Sequence, residues 1–164
     1  MRYSSLLGAV LLSGLGFMLL PAPASAHKGL IQDVRPEAHL SVFGRGEAGI
    51  GARADIALAS PVLPGMTDEL AISPGLDVYW VDGGRDDFFI IDPVALLQWN
   101  FYLAESFSVF PEAGIGVGFL VGDVRDHVDV HMALGVGGRV HLSSRTAIVV
   151  RIYWPGGLQI GMTF

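Results

Sequence analysis

The residues whose types and spacing come nearest to chemistry are two histidines, an acid and a serine in one stretch. His131 and His141 stand close to Asp129 and Ser143. A serine, a histidine and an acid in hydrogen-bonded order make a hydrolase. His141 and Ser143 share one face of an extended run and could meet. His131 and Asp129 share a face in the same way and could ligate a metal. Two same-face residues fill at most half of a four-coordinate site. A hydrolase acting on lipid also needs its triad on the outside of its carrier, and the local alternation turns this face inward. The expectation is no enzyme, no cofactor and no metal.

Other patterns carry less. Gly114-x-Gly116-x-Gly118 alternates along an extended run, with no following helix to receive a phosphate, so it is not a nucleotide fingerprint. Asp82–Asp87 and Asp123–His127 are acidic loops. They could hold a divalent cation near lipopolysaccharide, although solvated loops capping one end are the plainer expectation. There is no cysteine, which excludes disulfides, thiolate metal sites, a catalytic thiol and the lipid-bearing residue of a lipoprotein. The formal charge is −6 with a single lysine, and no basic patch offers itself to nucleic acid. More informative are Arg53, Asp55, Asp77, Glu112, Arg139 and Arg151, unlike charges that each occupy a polar position in an alternating run.

Those runs need a setting. Arg2, the apolar stretch Leu6–Leu20 and the small-x-small pattern Ala24-Ser25-Ala26 read as a signal peptide over residues 1–26. Its apolar core, about 15 residues, is short for an uncleaved spanning helix. Cleavage leaves His27 first, and losing Arg2 takes the charge from −6 to −7. Residues 27–164 are enough for one domain. Their recurring feature is period-two alternation, the mark of strands with one apolar face. The runs are Glu37–Gly44, Ala48–Ala59, Glu69–Val81, Phe88–Leu103, Phe107–Val121, Val128–Leu142, Thr146–Trp154 and Leu158–Phe164. In the sixth, Val130, Met132, Leu134 and Val136 oppose Asp129, His131, Ala133 and Gly135. Turn residues such as Asp82-Gly83-Gly84 and Pro155-Gly156-Gly157 join most of them closely, so neighbours should pair antiparallel. Only Ser60–Asp68 is long, and its prolines argue against a strand there.

The expected fold is therefore all-β, an eight-stranded antiparallel up-and-down transmembrane β-barrel. A soluble, lipocalin-like periplasmic carrier would turn the apolar faces inward around a ligand, whereas a membrane barrel turns them out to lipid. The polar faces mix unlike charges with many glycines and almost no lysine, which suits a narrow bore better than a soluble exterior. Tyr79, Tyr102 and Tyr153 fall on that inward set. With the N-terminus periplasmic, Trp80, Phe119 and Trp154 fall at the outer end, and Trp99, Phe101 and Phe164 at the periplasmic end, as two aromatic girdles. Eight strands leave a bore just wide enough for side chains, so the inward charges should pair across it and plug it.

The tail Leu158-Gln159-Ile160-Gly161-Met162-Thr163-Phe164 and the stretch Gly135–Ser144 followed by Thr146-Ala147-Ile148 carry a family resemblance. They resemble the closing strand and penultimate hairpin of the small eight-stranded outer-membrane β-barrel proteins, of the OmpX and OmpA-barrel kind. The resemblance implies an outer-membrane location and contact with its lipid, including lipopolysaccharide. It also implies a monomer, and assembly by the barrel-assembly machinery through Leu158, Ile160, Met162 and Phe164. It brings no catalytic residue. The short loops depart from the better-known members, so no adhesion or receptor role is implied. The expected role is structural or interactive. The alternatives are the periplasmic carrier and an outer-membrane lipid-modifying enzyme.

Overall fold

The computed structural model describes residues 34–42, 47–82, 87–122 and 127–164. The signal segment 1–26, Gly44 and the tips of the acidic loops lie outside the described residues. Eight strands form: β1 (Val34–Val42), β2 (Ala48–Ala59), β3 (Asp68–Asp82), β4 (Asp87–Ala104), β5 (Phe107–Gly122), β6 (Val128–His141), β7 (Ala147–Trp154) and β8 (Gly157–Thr163). Each pairs antiparallel with its chain neighbour, and β8 pairs with β1, so the sheet closes with no edge strand. The last residue joins the seam, where the Phe164 N–H donates to the Pro36 carbonyl at 3.0 Å.

Alternation reads the wall correctly because successive side chains point to opposite faces of a strand. On β7, Ile148, Val150, Ile152 and Trp154 are exposed while Ala147, Val149, Arg151 and Tyr153 are buried. The same phase runs round the barrel and leaves Val130, Met132 and Ile152 about two-thirds exposed on the outside. The first strand begins earlier than its alternation suggested, at Val34, and so includes Arg35. Prolines sit inside four strands: Pro36, half-buried in β1, and Pro74, Pro93 and Pro111, each exposed on the outer face. A proline cannot donate to the ladder. Pairing between β4 and β5 is interrupted around Pro93 and again around Pro111.

The strands are tilted. A path along paired residues starts at Val34 and passes through Ile56, Ile72, Leu97, Ala113 and Leu134 to Trp154. It leaves the rim that carries the chain ends and arrives at the opposite one. Such stagger is what closing a sheet requires. The wall is also uneven. β4 and β5 have 18 and 16 residues, β7 and β8 only 8 and 7. Between Val128 and Ala133, β6 pairs with β5 alone, because β7 ends at Trp154, opposite Leu134.

Candidate functional site in the bore

Closure brings one inward side chain from every second residue of each strand into a narrow space. Three arginines fill its middle: Arg53 from β2, Arg139 from β6 and Arg151 from β7, each no more than 3% exposed. Arg53 donates to Glu112 Oε1 at 3.4 Å, Asp77 Oδ2 at 3.3 Å and Gln159 Oε1 at 3.1 Å. Arg151 pairs with Glu37 and donates to Glu112 Oε2 at 3.3 Å. Arg139 pairs with Asp55 and donates to Asn100 Oδ1 at 2.6 Å and Gln98 Oε1 at 3.0 Å. Several of these contacts cross the bore, from β2 to β5 and from β6 to β2.

The acids accept from further neighbours in turn. Asp55 accepts from Ser73 Oγ at 2.6 Å, Asp77 from Tyr79 OH at 2.9 Å, and Glu112 from Gln98 Nε2 at 3.2 Å. His39 lies between two carboxylates, 2.9 Å from Asp77 and 3.4 Å from Glu37. Aromatic faces supply the rest of the packing. The Arg139 guanidinium stands 4.5 Å from the Phe110 ring centre and that of Arg53 4.6 Å from Tyr153. Such cation–π contacts suit arginine in a desolvated site. Glycines make the fit possible. A Cβ on Gly137 would stand 2.5 Å from Phe110 Cζ and 2.8 Å from Arg151 Cβ, and one on Gly51 2.1 Å from Asp77 Oδ1.

All six charges expected inside, Arg53, Asp55, Asp77, Glu112, Arg139 and Arg151, therefore meet in one network. The bore contains more than that set. Glu37, His39 and Ser41 come from β1, and Gln98, Asn100 and Gln159 carry amides into it. Their signal was present, since Arg35, Glu37, His39 and Ser41 alternate with Pro36, Ala38, Leu40 and Val42. Phe110 had none of this kind, because it is an apolar residue on the polar phase, fully buried. Arg35 pairs with Glu69 near the rim of the chain ends, where Asn100 Nδ2 also donates to Glu69 Oε1 at 3.1 Å. Asn100 thus joins this smaller cluster to the central network.

The hydrolase constellation does not assemble. His141 Nε2 lies 3.0 Å from Ser108 Oγ, on the paired strand β5. Ser143 Oγ instead accepts the backbone N–H groups of Arg145 and Thr146 at 3.3 and 3.1 Å, holding the turn after β6. His131 reaches Asp92 Oδ2 at 3.4 Å rather than Asp129, which is exposed. Among the described residues no group of three or more His, Cys, Asp and Glu side chains is placed to hold a metal.

The aromatics divide between the rims. Trp80, Phe119 and Trp154 point outward near the rim away from the chain ends, 54%, 41% and 70% exposed. They are not level, since Phe119 pairs with Val128 and Trp154 with Leu134, further down the same strand. At the other rim Phe164 points outward. Trp99 and Phe101 are half-buried, with ring centres 4.9 Å apart, and Trp99 Nε1 donates to Asp68 Oδ2 at 2.9 Å. On β8, Leu158, Ile160 and Met162 all face outward.

No family model and no curated protein matches the sequence. The fold itself has solved counterparts. The chain is similar to a de novo designed transmembrane β-barrel, at 11% identity and a TM-score of 0.55, over 85% of this chain and 98% of the design. It is similar to the outer membrane enzyme PagL, at 15% identity and a TM-score of 0.51, over 80% of this chain and 95% of PagL. The attachment invasion locus protein Ail of Yersinia pestis matches at 10% identity and a TM-score of 0.47, over 79% of this chain and 90% of Ail. At these identities the likeness concerns architecture: an eight-stranded, closed, antiparallel β-barrel of the kind seen in transmembrane proteins.

Proposed function

We propose that this chain is a small outer-membrane β-barrel with a structural or interaction role and a plugged bore. It would be exported by its signal segment, assembled through its closing strand and monomeric among outer-membrane lipids and lipopolysaccharide. One observation carries the reading: polarity is inverted relative to a soluble protein. Arg53, Glu112, Arg151 and Glu37 form a buried chain of ion pairs across the bore, while Val130, Met132 and Ile152 lie exposed on the wall. In hydrocarbon, a closed barrel leaves no unpaired sheet edge, and its apolar face meets lipid. The carrier reading needs apolar side chains around a ligand, and here they face away from the bore. The enzyme reading has no assembled nucleophile, base and acid among the described residues. The likeness to PagL concerns the fold.

The test is fractionation followed by reconstitution. The protein should sediment with outer membranes and migrate differently on a gel before and after heating. In planar bilayers it should show no stable conductance. Recovery as a soluble periplasmic protein would overturn the membrane reading. Steady single-channel currents would overturn the plug.

A further inference from the structure

At the rim that carries the chain ends, the bore opens below the central network into a recess of about 220 Å³. Arg35, Arg139, Arg145, Tyr102, His141 and Glu69 are among the residues lining it. Three guanidiniums thus face one carboxylate, and the hydrogen-bond inventory tilts the same way. Glu69 is already occupied, with both oxygens taken by Arg35 and Oε1 also by Asn100. Tyr102 OH accepts Arg35 Nη1 at 3.0 Å, so its own proton is left to give. The Nε–H groups of Arg35 and Arg139 are buried without an acceptor, as are those of Arg53 and Arg151 in the central network. Arg145 makes no ion pair among the described residues and is exposed on the turn between β6 and β7. The recess holds guanidinium donors in excess, with its one carboxylate spent.

We propose that this recess binds a single phosphate-class oxyanion, presented either by a lipid headgroup or as free phosphate. Guanidinium forks match the oxygen spacing of phosphate and give the stronger, charge-assisted kind of hydrogen bond. A cation would meet three arginines, and a neutral sugar would leave Arg145 without an ion-pair partner among the described residues. The recess is closed above by the paired side chains, so the anion is held and not passed through. That the anion arrives from the periplasm rests on the membrane reading given above.

Inorganic phosphate is the probe, titrated calorimetrically at low salt into the full protein in zwitterionic detergent. Saturable binding at one site is expected. Arg145→Gln should weaken it by about tenfold, the scale of one charge-assisted hydrogen bond, and Arg145→Lys should restore part of it. Arg145 is exposed and outside the ladder, so the variant should keep its heat-dependent gel shift. Tyr102→Phe is a second variant expected to weaken binding. No saturable binding by the unaltered protein would overturn the proposal, as would binding unchanged in both Arg145→Gln and Tyr102→Phe. Reconstitution separates the two sources. If phosphatidylglycerol vesicles abolish phosphate binding and phosphatidylcholine vesicles do not, the natural occupant is a headgroup. Equal binding in both assigns the site to free phosphate. Failure of the membrane reading appears in fractionation, and failure of this site in the titration.

Discussion

The middle of the bore and its far end, beneath the tall wall of β3–β6, handle charge differently. In the middle all eight strands contribute, and each arginine has partners from more than one strand. At the far end one ion pair is found among the described residues. His131 and Asp92 approach at 3.4 Å, with no second ion-pair partner for either among the described residues. The difference follows from wall height. Where β7 and β8 stop, no strand stands opposite to supply a third or fourth partner. Buried charge is tolerated where closure surrounds it, and pairing thins where half the wall is missing. The lesson is that in a narrow barrel the network is a property of the closed ring, not of any one strand.

Substitutions can break or sharpen this contrast. The largest effect is expected from Arg151→Ala, which strips Glu37 and Glu112 of their shared cation inside the ring. Removing one partner of a buried pair costs about 3–5 kcal/mol, and urea unfolding of the detergent-folded barrel should show a loss of that order. Adding Glu37→Leu, so that both partners of one pair are gone, should recover part of it. An intermediate effect is expected from Gly137→Ala. Its new Cβ meets Phe110 and the backbone-proximal part of Arg151, and overpacking of this kind costs about 1–3 kcal/mol. The smallest belongs to His131→Ala at the far end, where the imidazole faces a single acid. If His131→Ala destabilised the barrel as much as Arg151→Ala, the contrast between the two regions would be wrong.

Much of the wall was legible in the sequence. The second run, Ala48–Ala59, coincides with β2, and the pairing of Leu158–Phe164 with the first strand follows from closure. The period of two is a local property, so each side chain's face is set by its neighbours along the chain. The six inward charges were legible for the same reason. Glu37 and His39 obey the same rule, but the first run is short and its phase is easily passed over. Pro74, Pro93 and Pro111 do not break their strands, because they sit where the ladder can skip a bond. The hydrolase grouping misled more. Proximity in sequence placed His131 beside Asp129 and His141 beside Ser143, whereas pairing of strands gave them Asp92 and Ser108.

By itself, then, the sequence determined which residues line the bore and which face outward, because alternation needs no knowledge of distant strands. Only the tertiary structure decided which acid each arginine meets. That choice depends on the stagger between strands and on glycines that leave room for a neighbour's side chain. It also depends on where β7 ends, which sets Trp154 below Phe119 and leaves the far end of the bore thinly paired. Cross-bore distances exist only once β8 has found β1, and nothing local encodes them.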